Sequence, residues 1–260
     1  MVRRERGDRR SAISGRDQLR RVLITGAGSG IGRAAALRFA AGGDHVAVND
    51  IRPEAAAETL ALIRAAGGAA EAAPCDVADI PALRALIEGL GPFDVLVNNA
   101  GVSSTQRKLA EIDPADFDRM FGVHVKAAFF AAQAAAPGMR AKGHGRIVNV
   151  SSNWALQGSD ILSHYSGAKA ALLGLTRAWA KELGPDGIRV NAVVPGSAAT
   201  PLVRFRMSDE DIAAAEATTP LGRWATADEI GAAIVYLASP EAAGITGQML
   251  VVNGGQYFAA

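Results

Sequence analysis

The chain has 260 residues, 49% of them apolar, enough for a full hydrophobic core and most economically arranged as one α/β domain. Its 27 basic and 26 acidic residues leave a net charge of +1, which gives no field to attract nucleic acid or an anionic membrane. The single Cys75 excludes an internal disulfide, and no apolar run approaches the ~18 residues that span a bilayer, so a soluble cytoplasmic protein is expected.

Residues 1–20 are Arg-rich and nearly free of large apolar side chains, and read as a disordered basic extension. They lack the apolar core of a secretory signal. A tag, a start codon set too early or an unstructured tail accounts for them more simply than a nucleic-acid arm or an organellar address.

From Arg21 onward, short apolar runs alternate with amphipathic ones. RVLIT precedes a helical stretch from Ile31 to Ala41, HVAVND precedes Pro53 to Ala66, and AAEAAPCDV precedes Pro81 to Gly89. FDVLVNNAG leads into a long Ala-rich helical region from Pro114 to Arg140, which Pro137 and Gly138 are expected to kink or end. GRIVNVSS is followed by a helix containing Tyr165, IRVNAVVPG by a helix from Ala225 to Ala238, and QMLVVNGG closes the chain. Seven strand-like runs, nearly continuous in apolar residues and separated by helices, indicate a parallel sheet covered on both faces. The expected fold is a single-domain, Rossmann-like, doubly wound α/β domain over residues 21–260.

Ligands of such folds bind at the carboxyl ends of the strands. After the first strand, TGAGSGIG runs from Thr25 to Gly32 into a helix; Gly26, Gly30 and Gly32 can shape a turn that lets a pyrophosphate approach the helix N–H groups. Glycines also make turns that bind nothing, and the strand–loop–helix context favours the cofactor reading. Asp50, at the end of the second strand, lies 18 residues past Gly32, near the ~20 expected of an acidic residue that binds an adenosine ribose. Its carboxylate would accept from both ribose hydroxyls and repel a 2′-phosphate, which favours NAD over NADP. Arg52 could reach a 2′-phosphate, although a surface arginine at a helix start is the simpler account.

Tyr165 and Lys169 stand four residues apart on one helix face. Taken alone, the pair is either a catalytic acid with its activator or two ordinary surface residues.

With these motifs in order, the sequence from about Arg21 to its end resembles the short-chain dehydrogenase/reductase family. TGAGSGIG is similar to the family's cofactor loop, where the resemblance implies contacts from Gly26, Ser29, Gly30, Ile31 and Gly32. Asp50 and Ile51 fall at its ribose reader, Asp76 and Val77 in CDV at its adenine contact, and Asn99, Ala100 and Gly101 in NNAG at its fourth-strand signature. PGSAAT resembles the nicotinamide-side loop, which implicates Pro195, Gly196 and Thr200.

The resemblance implies Ser152, Tyr165 and Lys169 as the catalytic residues. The family's serine stands 13 residues before its tyrosine, which selects Ser152 and leaves Ser151 as a structural neighbour. Tyr165 would be the acid/base. A free phenol, with a pKa of about 10, is a poor base near neutrality, but Lys169 and oxidised nicotinamide supply positive charge that favours phenolate. Ser152 would donate to the substrate oxygen, and Lys169 would also hold the nicotinamide ribose. Where the family usually has Asn, VHVKA places His124, read either as a packed, hydrogen-bonded histidine or as a titrating member of a proton relay. Asn253, where Asp is usual, reads as structural.

His45, His144 and His164 show no metal-ligand spacing, so no metal is implied. His164 reads as a surface or pocket-rim residue. The substrate pocket is expected from 102–107, 153–162 and a polar, lid-like crossover over 201–219. Trp154, Leu162 and Phe205 are candidate apolar wall residues; Arg204 and Arg206 either grip an acidic substrate or are solvated.

The expected activity is NAD(H)-dependent interconversion of a small secondary alcohol and a ketone. The alternatives are an NADPH-dependent 3-oxoacyl thioester reductase and a non-catalytic nucleotide-binding protein. The closing helix and strand resemble surfaces through which the family forms homotetramers or homodimers.

Overall fold

The computed structural model describes residues 19–102, 106–198, 203 and 207–258. Its elements run β1 (Arg21–Ile24), α1 (Gly30–Ala41), β2 (His45–Val48), α2 (Pro53–Ala65), β3 (Ala69–Ala72), α3 (Ile80–Leu90) and β4 (Val95–Asn98). They continue with α4 (Pro114–Phe121), a π-helical turn (Gly122–Lys126), α5 (Ala127–Lys142), β5 (Gly145–Val150), α6 (Trp154–Gln157) and α7 (Ser163–Leu183). β6 (Ile188–Pro195), α8 (Asp209–Ala217), α9 (Ala227–Ala238) and β7 (Met249–Val252) complete the chain.

The seven strands form one parallel sheet in the order β3-β2-β1-β4-β5-β6-β7. Residues alternate between its faces because the strand period is two. Val22, Ile24, Val46, Val48, Val95 and Val97 pack with Phe39 of α1 and Ile230 and Ile234 of α9. Leu23, Leu96, Ile147 and Val190 face the other way, against Leu83 and Ile87 of α3, Met139 of α5 and Trp179 of α7. Each such large apolar side chain, fully buried, contributes about 1.5–3 kcal/mol. The chain reverses direction across the sheet between β1 and β4, which leaves a crevice at their carboxyl ends.

Local sequence sets the helix starts. Asp79 accepts from Ala82 N at the head of α3, Asp113 from Asp116 N at α4, and Ser208 from Asp211 N at α8. Thr226 and Glu229 form a reciprocal capping box on α9.

Three expectations need correction. Pro137 does not end the long helix: α5 runs through it to Lys142 and stops at Gly143, whose φ is +69°. Gly138 is needed for close approach, since a Cβ there would lie 2.8 Å from Pro92 Cβ. The helical region is instead divided earlier, at the π-helical turn, a wider local winding often associated with functional sites. Arg20, assigned by sequence to the extension, belongs to the domain: its guanidinium grips Asp44 through Nε (2.8 Å) and Nη2 (2.6 Å), and its carbonyl accepts from His45 N.

Candidate active site

The carboxyl ends of β1, β2 and β4 meet around the glycine loop. Thr25 Oγ1 accepts from the backbone N–H groups of Asn99 and Ala100, both at 3.0 Å, and Asn99 Nδ2 donates to Thr25 O (2.8 Å) and Gly26 O (3.1 Å). Asn99 therefore ties the β1 and β4 loops together. Gly26 adopts φ +64°, which favours glycine. At the head of α1, Ser29 makes no side-chain cap and the first turn carries no acidic residue, so its N–H groups and positive dipole end suit a phosphate.

Sequence reading missed Gly28. Its N–H donates to Asp50 Oδ2 (3.0 Å), and a Cβ there would lie 2.5 Å from that oxygen. The missed signal was a fourth glycine in the loop facing an acid at the end of the next strand. Arg33 was missed as well: its Nη2 donates to Gly28 O and Glu58, and its Nε to Thr59 Oγ1, which in turn donates to Ala27 O.

Asp50 is buried, and its Oδ1 accepts from Arg52 N (3.0 Å). The Arg52 guanidinium folds back to 3.6 Å from Asp50 while staying 63% exposed. Ile51 is exposed beside it. Across the crevice, Asp76 is exposed and Val77 buried. Pro195 ends β6; the next N–H groups are held by Val252 O, which accepts from Gly196 N, and by Gln256 Oε1, which accepts from Ser197 N. Asn253 ties the following turn by accepting from Gly255 N and donating to Tyr257 O. Thr200, Phe205, Arg204 and Arg206 lie outside the described residues.

β5 and α7 bring Ser152, Tyr165 and Lys169 into one neighbourhood. Ser151, buried, donates from Oγ to Lys169 O (2.8 Å) and so pins strand to helix, whereas the half-buried Ser152 hydroxyl accepts from Trp154 N (3.2 Å). Lys169 is buried; its Nζ donates to Val150 O (2.8 Å) and lies 5.8 Å from the Tyr165 ring centre. Burial pushes its pKa down from 10.5 to about 7. The Tyr165 ring is held edge-on by His124 (5.4 Å between centroids) and Trp154 (5.9 Å). His124 is buried, and its pKa is driven well below the ordinary imidazole value, first by desolvation and then by the Lys169 charge.

Leu162 is buried at the head of α7, where its carbonyl accepts from Ser166 N, so it packs the core and offers no open wall. His164 is not a surface residue, its side chain being 1% exposed with Nε2 3.3 Å from Asp116 Oδ2, but it does line a pocket, together with Phe117 and Phe121 of α4, as the pocket-rim reading expects. Its partner comes from α4, a contact no sequence spacing announces. Residues 209–217 of the polar crossover form a helix, with Ile212 buried. Among the described residues no group of three or more His, Cys, Asp or Glu could hold a metal ion, and no helix is long and apolar enough to cross a membrane.

A parallel sheet in this order, a glycine loop at its switch point and a Ser–Tyr–Lys cluster define an oxidoreductase of the dinucleotide-binding type. Comparison with known proteins agrees. The family described as Enoyl-(Acyl carrier protein) reductase matches residues 26–256. The chain is 40% identical to the short-chain reductase protein NovJ of Streptomyces niveus, over 90% of this chain and 93% of that one. A 3-oxoacyl-[acyl-carrier protein] reductase from Brucella melitensis, solved with bound NAD, superposes with a TM-score of 0.87 at 37% identity, covering 94% of this chain and 93% of that one. A gluconate 5-dehydrogenase from Burkholderia cenocepacia, in complex with NADP and tartrate, gives 0.85 at 35% identity, covering 91% and 94%. The chain belongs to the short-chain dehydrogenase/reductase family.

Proposed function

We propose that the protein is an NAD(H)-dependent oxidoreductase that interconverts a small secondary alcohol and a ketone. The observation that carries this reading is the cluster of Tyr165, Lys169 and the solvent-reachable Ser152 at the ends of β5 and α7, beside the glycine loop. A nicotinamide held at this site would supply or accept the hydride. Ser152 donates a hydrogen bond to the substrate oxygen, and Tyr165 gives that oxygen its proton in reduction or removes it in oxidation. Lys169, fixed by Val150 O, lends positive charge to the phenol and is placed to hold the nicotinamide ribose. Gly26, Ser29, Gly30, Ile31 and Gly32 would cradle the pyrophosphate, Asp76 and Val77 would border the adenine, Asn99, Ala100 and Gly101 would line the crevice floor, and Pro195 and Gly196 would border the nicotinamide. Trp154 borders the substrate.

The preference for NAD rests on Asp50. Its buried carboxylate, held by Gly28 N and Arg52 N, stands where a ribose 2′-phosphate would be repelled. One observation favours a second reading, an NADPH-dependent 3-oxoacyl thioester reductase: the Arg52 guanidinium is largely exposed and needs only to swing from Asp50 to meet a phosphate. Association as a homotetramer or homodimer belongs to the same proposal, supported by exposed Tyr236 on α9 and Met249 on β7. Sedimentation of the purified chain measures it.

The reaction is tested by cofactor turnover across a panel of simple secondary alcohols and ketones, with Tyr165→Phe as control. Turnover that falls at least ~10²-fold in the control is expected. Turnover that survives unchanged would remove Tyr165 from the chemistry.

A further inference from the structure

His124 sits in the π-helical turn with Nε2 3.0 Å from Val102 O and 3.2 Å from Val102 N. Its Nδ1 is buried and has no hydrogen-bond partner among the described residues. Beside it lies a cavity of about 10 Å³, lined among others by Thr25, Asn98, Ala100, His124 and Leu172. That is room for roughly one water. Asn98 lines the same cavity, and its Oδ1 is a second buried acceptor without a partner among the described residues.

The other end of Asn98 is fully engaged. Its Nδ2 donates to Asn149 Oδ1 (2.9 Å), Asn149 Nδ2 donates to Thr176 Oγ1 (2.9 Å), and Thr176 Oγ1 donates to Leu172 O (2.7 Å). The direction of this chain fixes the Asn98 amide, with its oxygen left as an acceptor.

We propose that one ordered water occupies the cavity and donates to both Asn98 Oδ1 and His124 Nδ1, locking His124 as the neutral Nε2–H tautomer that clamps Val102. Proton counting supports it: a water has two donors, the site offers two acceptors, and the remaining ring proton faces Val102 O at 3.0 Å; against it stands the Val102 N–H, which is directed at the same Nε2 from 3.2 Å and would favour the opposite tautomer. Of the groups facing the ring, Lys169 on α7 opposes an imidazolium, and Tyr165, also on α7, packs against its edge. A Cβ at Gly101 would lie 2.7 Å from His124 Cε1, so the ring closes directly under the loop that leads to Val102. His124 is thereby a positioning residue: it holds Val102 on the substrate side and the edge of the Tyr165 ring, and it relays no proton. Its catalytic consequence rests on the function proposed above; its tautomer does not.

The test is ¹⁵N NMR of the full-length protein labelled at histidine, with the signals assigned through His45→Gln, His144→Gln and His124→Asn. The expected result is pyridine-like Nδ1 and pyrrole-like Nε2 shifts for His124, unchanged from about pH 5 to pH 8. The opposite tautomer, or titration within that range, overturns the proposal even if no substrate is ever found. With a substrate in hand, His124→Asn should raise KM ~3–10-fold and leave the pH profile of kcat superimposable on the parent's. A displaced profile would instead make His124 a relay member.

Discussion

Lys169 Nζ stands 5.8 Å from the centre of the Tyr165 ring and donates to Val150 O at 2.8 Å, so a buried ammonium is anchored between a strand end and a phenol. Burial lowers its pKa to about 7, against 10.5 for an ordinary lysine. Between these values the unfolded chain holds a proton that the folded chain has released, so folding stability of the free protein rises with pH across that window. The slope contributed by one such group is at most about 1.4 kcal/mol per pH unit. Urea midpoints measured from pH 7 to pH 10 should climb in the parent; Lys169→Met should remove that component and abolish turnover. Equal slopes in the two proteins would mean that Lys169 keeps its ordinary pKa.

Ser151 and Ser152 should separate cleanly. Ser151→Ala removes the buried bond to Lys169 O and should cost about 0.5–1.5 kcal/mol of stability. Ser152→Ala should leave the melting temperature nearly unchanged and lower kcat ~10²–10³-fold. Thermal melts beside steady-state kinetics read both, and the reverse pattern would exchange their roles.

Asp50→Ala should weaken NADH binding about tenfold or more and shrink the preference over NADPH. It should also destabilise the fold by about 1–3 kcal/mol, because the Gly28 and Arg52 N–H groups lose their acceptor. Arg52→Ala should weaken NADPH alone. If Asp50→Ala binds both cofactors as the parent does, the carboxylate holds the loop and reads nothing.

Two glycine substitutions should have opposite signs. Gly28→Ala drives a methyl into Asp50 and should impair both folding and cofactor binding. Gly89→Ala, in the last turns of α3 with open space around it, should raise stability by up to about 1 kcal/mol. Denaturant titration of the pair checks this directly.

Nearly continuous apolar runs carried the sheet. Runs such as RVLI, HVAV and VLVN mark strands buried on both faces, and the seven strands appear within the seven runs the sequence offers. Contacts between distant segments were hidden. His164 looked superficial because its partner Asp116 comes from another helix, and Gly28 looked like one more loop glycine until Asp50 lay against it. The π-helical turn has no propensity signature, and α5 continues past Pro137 because packing overrides the local preference to stop. The α7 motif, by contrast, was legible because i and i+4 necessarily share a helix face.

Calorimetric titration of the purified chain with NADH and NADPH in parallel, at matched salt, tests the central claim most directly. The account predicts tighter binding of NADH by tenfold or more, roughly 1.4 kcal/mol or greater. Tighter binding of NADPH would contradict it: Arg52 would then outweigh Asp50, and the 3-oxoacyl thioester reductase reading would take first place.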